Sequence, residues 1–258
     1  MTKSNQRGHP FWQSNAAYQV GFVVLVFAAW FSATRWLAIS PLLMPDPVNV
    51  MKRLAQLLES LEWLDPFWVT ASEVLSAFAL SSILGIALSF VLSRSLWVVK
   101  TFDPLLNGIN AVPAILFFPL FALLFGLGPG SKIALGFTIS FFPIVINTTA
   151  AFGRVESIHL KAATCMGASK WQLLRYVLLP SAIPMILSGL RMGLTLAFLS
   201  VLGGETIASF NGLGHQIAES SQAMDSELMY AWILFVIGVS FSLNTTLSMI
   251  ERIGGRAP

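Results

Sequence analysis

Long apolar segments without charged residues dominate the hydropathy pattern of this 258-residue chain. Each is about as long as the roughly 20 residues that a helix needs to cross a bilayer. Their apolar residues do not alternate with polar ones in ten-residue units, as the strands of an outer-membrane barrel do. The pattern predicts an all-α membrane protein with six transmembrane helices, at about residues 18–38, 68–93, 104–126, 132–152, 180–204 and 228–250.

The composition excludes several classes of protein. Charged residues are 10% of the chain and apolar residues 55%, whereas charged residues are roughly a quarter of an ordinary soluble domain. A globule of this size could not hide so much apolar surface. This excludes an ordinary soluble enzyme, a disordered chain and a nucleic-acid-binding domain. The single cysteine, Cys165, cannot form an internal disulfide, and no Cys/His cluster has the spacing of metal ligands.

The basic residues predict the orientation, because cytoplasmic loops carry an excess of Lys and Arg. With the amino terminus inside, ten of the 15 Lys and Arg residues fall in cytoplasmic segments and four outside, and Arg191 lies within a span. We therefore expect both termini in the cytoplasm and a multi-pass protein of the inner (plasma) membrane. Its parts would be a cytoplasmic segment 1–17, one transmembrane domain 18–252 with a cytoplasmic loop 154–176, and a tail 253–258.

The outer segment 40–66 opens with Pro41, Pro45 and Pro47, which block a continuous helix. Residues 48–62 then repeat apolar side chains at three- and four-residue spacing. This spacing indicates an amphipathic helix, which either lies on the outer surface of the membrane or packs on neighbouring helices.

The loop 154–176 has the strongest local signals. A short helix through Ala162 and Ala163 would end at Gly167, a residue type favoured just past a helix C-terminus. Ser169 and Gln172 have the spacing of a capping box for the next helix. We expect Pro180 to stop that helix and a new span to begin near Pro184. The product would be two short helices that project from the cytoplasmic face.

These residues resemble the EAA loop of permease subunits of ABC importers. The match consists of Lys161-Ala162-Ala163, Gly167 four positions later, and Leu179-Pro180. The flanking sequence is similar to the subfamily that takes up nitrate, sulfonates, taurine and bicarbonate. It shares the pieces Asp103-Pro104, Val112-Pro113, Phe118-Pro119, Gly126-Leu127-Gly128, Ser131-Lys132, Phe142-Pro143, Gly189-Leu190-Arg191, Glu205 and Gly212-Leu213-Gly214.

The resemblance implies the type I importer fold and a set of partners. These are a second permease subunit, most simply a homodimer, a dimer of cytosolic ABC ATPases, and an extracytoplasmic substrate-binding protein. ATP and Mg would bind the ATPase, and this chain would hold no cofactor. The ATPase would contact the loop through Lys161, Ala162, Ala163, Gly167, Ala168, Ser169, Leu179 and Pro180.

The chain departs from the family pattern at two positions. Lys161 stands where the family has Glu, which would repel a basic ATPase residue unless the partner is matched to it. Glu73 stands where relatives usually carry a basic residue early in the second span.

Residues inside the spans suggest a pathway, each with a structural alternative. Arg191 could pair with an anionic substrate, or bond to Asn147 or backbone carbonyls and hold helices together. The third span could line the pathway with Asn107, Asn110 and Pro113, or be a kinked packing helix. Glu205, Gly212 and Gly214 could form an outer gate or contact the binding protein, although an acid exposed to water near the membrane surface is the favoured interpretation of Glu205.

No pattern of catalytic residues is present, so we expect a transport subunit rather than an enzyme. The stretch Gly126–Lys132 lacks the spacing of a phosphate loop. The prediction is an ATP-driven importer subunit for a small, anionic solute. An ion-coupled secondary transporter or channel is the alternative, and it would need buried carboxylates or inverted repeats, which the sequence does not reveal.

Overall fold

The computed structural model describes residues 11–36, 40–93, 95–153 and 162–254, and every regular element in these ranges is helical. Residues 154–161, which include Lys161, therefore lie outside the described residues. The helices are α1 Phe11–Trp36, α2 Pro47–Ser60, α3 Leu64–Leu92, α4 Leu96–Asn110, α5 Phe118–Phe125, α6 Pro129–Gly153, α7 Lys170–Leu173, α8 Leu179–Ile207, α9 Leu213–Gln222 and α10 Ser226–Gly254.

Five of the described helices are long and apolar enough to cross a membrane, and a bent pair counts as a sixth span. The pair consists of α4 and the segment Ala114–Phe125, which meet at 71°. The first helix of the pair begins at Leu96, and Pro104 lies inside it. The bend follows from Pro113, whose backbone is extended and has no N–H to donate to the preceding turn.

The centre of the bundle is α6, which packs between α3 and α8. Between transmembrane helices, small residues and hydrogen bonds replace the hydrophobic driving force of water. Ser140 of α6 donates to Ser81 of α3 at 2.9 Å, and Ser89 donates to the carbonyl of Val145 at 3.1 Å. An apolar cluster of Val74, Leu194, Ala197, Phe198 and Val201 joins α3 to α8.

Two short helices cover one end of this bundle. Asp46 caps α2 by accepting the N–H of Val48 at 2.8 Å, and Pro47 occupies its first turn. The predicted helix is therefore present, and it packs on α10 through two side-chain pairs, Asn49 with Glu227 and Arg53 with Asp225. The second short helix, α9, packs on α8 and α10.

Only part of the apolar surface of α2 is covered. Val50 and Leu57 are buried, whereas Val48, Met51, Leu58 and Leu61, which belong to the three- and four-residue repeat, are about half exposed. The contact with α10 decides which side is covered, because apolar residues occur on both sides of this helix.

The expected stop at Pro180 is wrong. Helix α7 continues through a π-helical turn, Leu174–Leu178, into α8, which contains Pro180 in its first turn and Pro184 inside. Proline cannot donate a helical hydrogen bond and crowds the preceding turn, and the wider π-helical turn lies directly before Pro180. The result is one apolar stretch from Trp171 to Ile207.

Candidate functional site

The loop after α6 forms a well-capped elbow, which we define as residues 162–172. Residues 162–165 are helical, and Gly167 adopts the left-handed φ of +79° expected just past a helix end. The N–H of Ala168 donates to the carbonyl of Ala163, and that of Gly167 to Thr164, both within 3.1 Å. These two bonds form a Schellman motif, which ends the helix rigidly.

The predicted capping box begins the next helix. The backbone N–H of Ser169 donates to the Gln172 side chain at 2.8 Å, and the N–H of Gln172 donates to the Ser169 hydroxyl at 3.3 Å. Ala162 and Ser169 are exposed, and Ala163 and Ala168 are half-buried. Large apolar side chains on and just after the elbow also face outward, with Met166 at 87%, Trp171 at 65% and Tyr176 at 70% exposure. The elbow therefore presents a rigid, partly apolar surface without bulky groups at its alanines.

The bent span and α6 enclose a mainly apolar cleft of about 570 Å³. Asn110 and Pro113 line it from one side, and Thr138 and Phe142 of α6 from the other. Asn107 is exposed, and its amide donates to the carbonyl of Asp103 at 2.8 Å. Two of the proposed pathway residues thus meet in one cleft.

Asn147 and Arg191 occupy other helix contacts. The amide of Asn147 donates to the carbonyl of Pro143 at 2.8 Å, and its side chain lies against Gly189 of α8. Arg191 is half-buried and donates to the side-chain oxygen of Asn244 on α10 at 2.8 Å. This bond joins the fifth and sixth spans, and its acceptor is Asn244, which the sequence did not suggest as a partner.

Glu205 lies inside the protein, and its interpretation as an acid exposed to water is wrong. Its side chain is 1% exposed. One carboxylate oxygen accepts the Thr70 hydroxyl and the other the N–H of Gly214, both at 2.7 Å. Thr70 in turn accepts the N–H of Leu213 at 2.9 Å. A single carboxylate therefore fastens the start of α9 to α3 and α8.

Gly212 and Gly214 lie against the Glu205 side chain. Gly212 has a φ of +114°, and a Cβ there would lie 2.3 Å from a Glu205 carboxylate oxygen. A Cβ on Gly214 would lie 2.4 Å from the carbonyl oxygen of Leu202. The glycines permit the close approach of this loop to Glu205.

Two further charged residues belong to this buried cluster. Glu73 of α3, which the sequence marked only as a departure from the family pattern, is 2% exposed. Lys132 of α6, which we expected at the outer end of a span and gave no role, is 1% exposed. The Lys132 ammonium donates to the carbonyls of Leu127 and Gly128. Glu73 and Lys132 each lie in an otherwise mainly apolar helix. Because charges within spans face protein interiors or water-filled paths, the sequence could have predicted that both side chains point away from lipid.

Metal binding has no support in the described ranges. They contain no group of three or more His, Cys, Asp or Glu side chains that could hold a metal ion.

The chain is similar to known transport proteins over most of its length. The family described as "Binding-protein-dependent transport system inner membrane component" matches residues 80–253. The taurine transport system permease protein TauC of Escherichia coli (strain K12) is 27% identical over 238 residues, which cover 90% of this chain and 86% of TauC. The riboflavin transport system permease protein RibX of Chloroflexus aurantiacus is 31% identical over 232 residues, which cover 90% and 86%.

A solved structure has the same fold. A chain of the MetNI methionine ABC transporter, in an inward-facing form, aligns with a TM-score of 0.65 and 17% identity over 76% of this chain and 98% of that chain. The resemblance inferred from the elbow and its flanking residues is thereby confirmed, and no comparison supports a secondary transporter. The chain belongs to the binding-protein-dependent transport system inner membrane component family, as a multi-pass permease subunit of an ABC importer in the inner (plasma) membrane.

Proposed function

We propose that this permease pairs with a second copy of itself and with two cytosolic ATPases, and that the elbow 162–172 is the surface that docks on the ATPase. The observation that carries this proposal is the double capping of the elbow between two spans. The Schellman motif and the capping box fix the turn between residues 162–165 and α7, and α7 runs through the π-helical turn into α8. A push on the elbow therefore moves α8 instead of deforming the turn.

A change of side-chain size at Ala163 tests the docking surface. In the assembled importer, we expect Ala163→Trp to abolish the ATPase stimulation that the loaded binding protein produces, because the indole fills the space at the contact. Ala163→Ser is the matched control, since it barely changes the volume, and it should keep most of the stimulation. Unchanged stimulation in Ala163→Trp would show that the elbow is not the docking element.

The imported solute is a small anion in this proposal. Support comes from the relative named for taurine, which carries a sulfonate group, and from Arg191, a guanidinium near the middle of the fifth span. Arginine presents several donors, so it can keep its bond to Asn244 and still receive an anionic group. The residues that would line the path are Asn107, Asn110, Pro113, Asn147 and Arg191, with Glu205, Gly212 and Gly214 at its outer end.

Binding measurements on the partner binding protein test the charge of the solute. Taurine, an alkyl sulfonate, riboflavin and a polyamine would be titrated separately into the purified protein. We expect saturable binding of a sulfonate and no binding of the polyamine. Retention of riboflavin or the polyamine alone would refute the anion proposal without touching the importer assignment.

A further inference from the structure

Glu205, placed above at the outer end of the proposed path, belongs to a buried charged cluster whose other members have no role in that path or in the coupling surface. The cluster consists of Glu73 on α3, Lys132 on α6 and Glu205 on α8, each at most 2% exposed. Glu205 and Lys132 are close enough to Glu73 to interact with it electrostatically. Two potential negative charges thus share the site with one positive charge.

The hydrogen bonds distinguish the two glutamates. Both oxygens of Glu205 accept bonds, from Thr70 and Gly214, and this is the arrangement of an ionised carboxylate. The Oε2 atom of Glu73 is buried and has no hydrogen-bond partner in the described part of the chain. Burying an ionised carboxylate oxygen that accepts no hydrogen bond costs far more free energy than burying the neutral carboxyl group.

The sum of the charges also indicates that Glu205 is ionised and that Glu73 is neutral. Ionised Glu205 balances the Lys132 ammonium, which is already held by the carbonyls of Leu127 and Gly128. An ionised Glu73 would leave a net negative charge in a site that is almost entirely buried, and one proton on Glu73 removes it. We propose that Glu73 is a buried proton-binding site, which holds one proton while ionised Glu205 fastens the loop before α9 to α3.

The site would link protonation to the position of α9. Glu73 lies one helical turn after Thr70, the residue that joins Glu205 to the N–H of Leu213. Loss of the proton would place a second negative charge beside Glu205. The bonds from Thr70 and Gly214 would then hold less firmly, and α9 would separate more readily from α3.

The pH dependence of stability tests the proposal directly. A folded state that holds one more proton than the unfolded state loses stability as the pH rises. The unfolding temperature of the purified full-length permease would be measured between about pH 5 and pH 9, a range that includes documented ionisations of buried glutamates. We expect it to fall by several degrees in the wild type and to depend much less on pH in Glu73→Gln, which is permanently neutral.

Two variants serve as controls. Glu59→Gln changes an exposed glutamate of α2 in the same way, and it should keep the wild-type pH dependence. Glu205→Gln should lower the unfolding temperature at every pH, because an amide cannot accept through both of its groups. A Glu73→Gln protein with the wild-type pH dependence would overturn the proposal.

Infrared spectroscopy gives a readout that does not depend on stability. The wild type at neutral pH should show the carbonyl band of a protonated carboxylic acid. This band should disappear on alkaline titration and be absent from Glu73→Gln, while Glu59→Gln retains it. Its absence from the wild type would also refute the proposal.

The choice of salt separates a proton from a metal cation. If sodium chloride stabilised the permease more than choline chloride at alkaline pH, the site would bind a metal cation instead of a proton, and the proposal would be refuted.

Discussion

At the scale of single residues, the space around Glu205 explains why glycine stands at positions 212 and 214. The carboxylate accepts the N–H of Gly214 at 2.7 Å, which brings the backbone of the loop against the side chain. A Cβ at position 214 would lie 2.4 Å from the backbone oxygen of Leu202 and 2.8 Å from the Cβ of Glu205. Neither atom is the free end of a flexible side chain, so the loop itself would have to move.

We expect Gly214→Ala to destabilise the permease by about 1–3 kcal/mol, the usual range for forced overpacking. Gly203→Ala is the matched control, because a Cβ at Gly203 on α8 meets nothing within 4 Å. That variant should be neutral or more stable by roughly 0.5–1 kcal/mol, since alanine favours helix over glycine. Thermal unfolding of the two purified variants gives the comparison, and equal midpoints would contradict the contact with Leu202.

At the scale of elements, one side chain organises the three central helices. Ile144 of α6 is fully buried between Gly85 of α3 and Gly193 of α8. A Cβ on Gly193 would lie 2.5 Å from its Cδ1 atom, and a Cβ on Gly85 would lie 3.0 Å from its Cγ2 atom. Small residues on both neighbours thus let the helices approach closely, as is common in membranes.

A double-mutant cycle tests this packing. Ile144→Ala alone should cost about 2–5 kcal/mol, because it removes the buried side chain beyond its Cβ. Gly193→Ala should also destabilise, but the double variant should lose at least about 0.5 kcal/mol less than the sum, because alanine lacks both the Cδ1 and the Cγ1 atoms, which a Cβ at position 193 would meet at 2.5 and 2.6 Å. The control pair, Ile144→Ala with Gly203→Ala, should be additive. Additivity in both pairs would exclude the proposed contact.

At the scale of the whole molecule, the distribution of charge predicts the orientation. The basic residues gather in the segments that we place in the cytoplasm, including the loop that carries the elbow. Cys165 is the single cysteine of the chain, and it is exposed on that elbow. The protein therefore carries a natural reporter of its own topology.

A membrane-impermeant maleimide should label Cys165 in inverted vesicles that contain the permease without its ATPase, and should not label it in intact cells that have a permeabilised outer membrane. The control is Cys165→Ser combined with Ser221→Cys, which moves the thiol to an exposed position on α9. This variant should be labelled in the intact cells and not in the inverted vesicles, because α9 follows one end of α8 and the elbow precedes the other end. Labelling of Cys165 in such cells would reverse the proposed orientation and remove the elbow from the ATPase.

The sequence by itself determined the features that depend on neighbouring residues. A span requires only a long apolar stretch, and the elbow requires Gly167, Ser169 and Gln172 at fixed short spacings. The six-span fold and both caps of the elbow were accordingly predictable. The break near Pro113 was predictable only as a kink, because the size of its bend depends on packing against α6.

Only the tertiary structure decided which distant residues meet. Thr70 and Glu205 are 135 positions apart, and the sequence could not pair them or bury them with Glu73 and Lys132. For the same reason, the sequence could not predict which face of α2 is covered or which residue of α10 binds Arg191. A charged residue within a span has to find a partner, but the partner is chosen by how the helices pack, and that choice involves the whole chain.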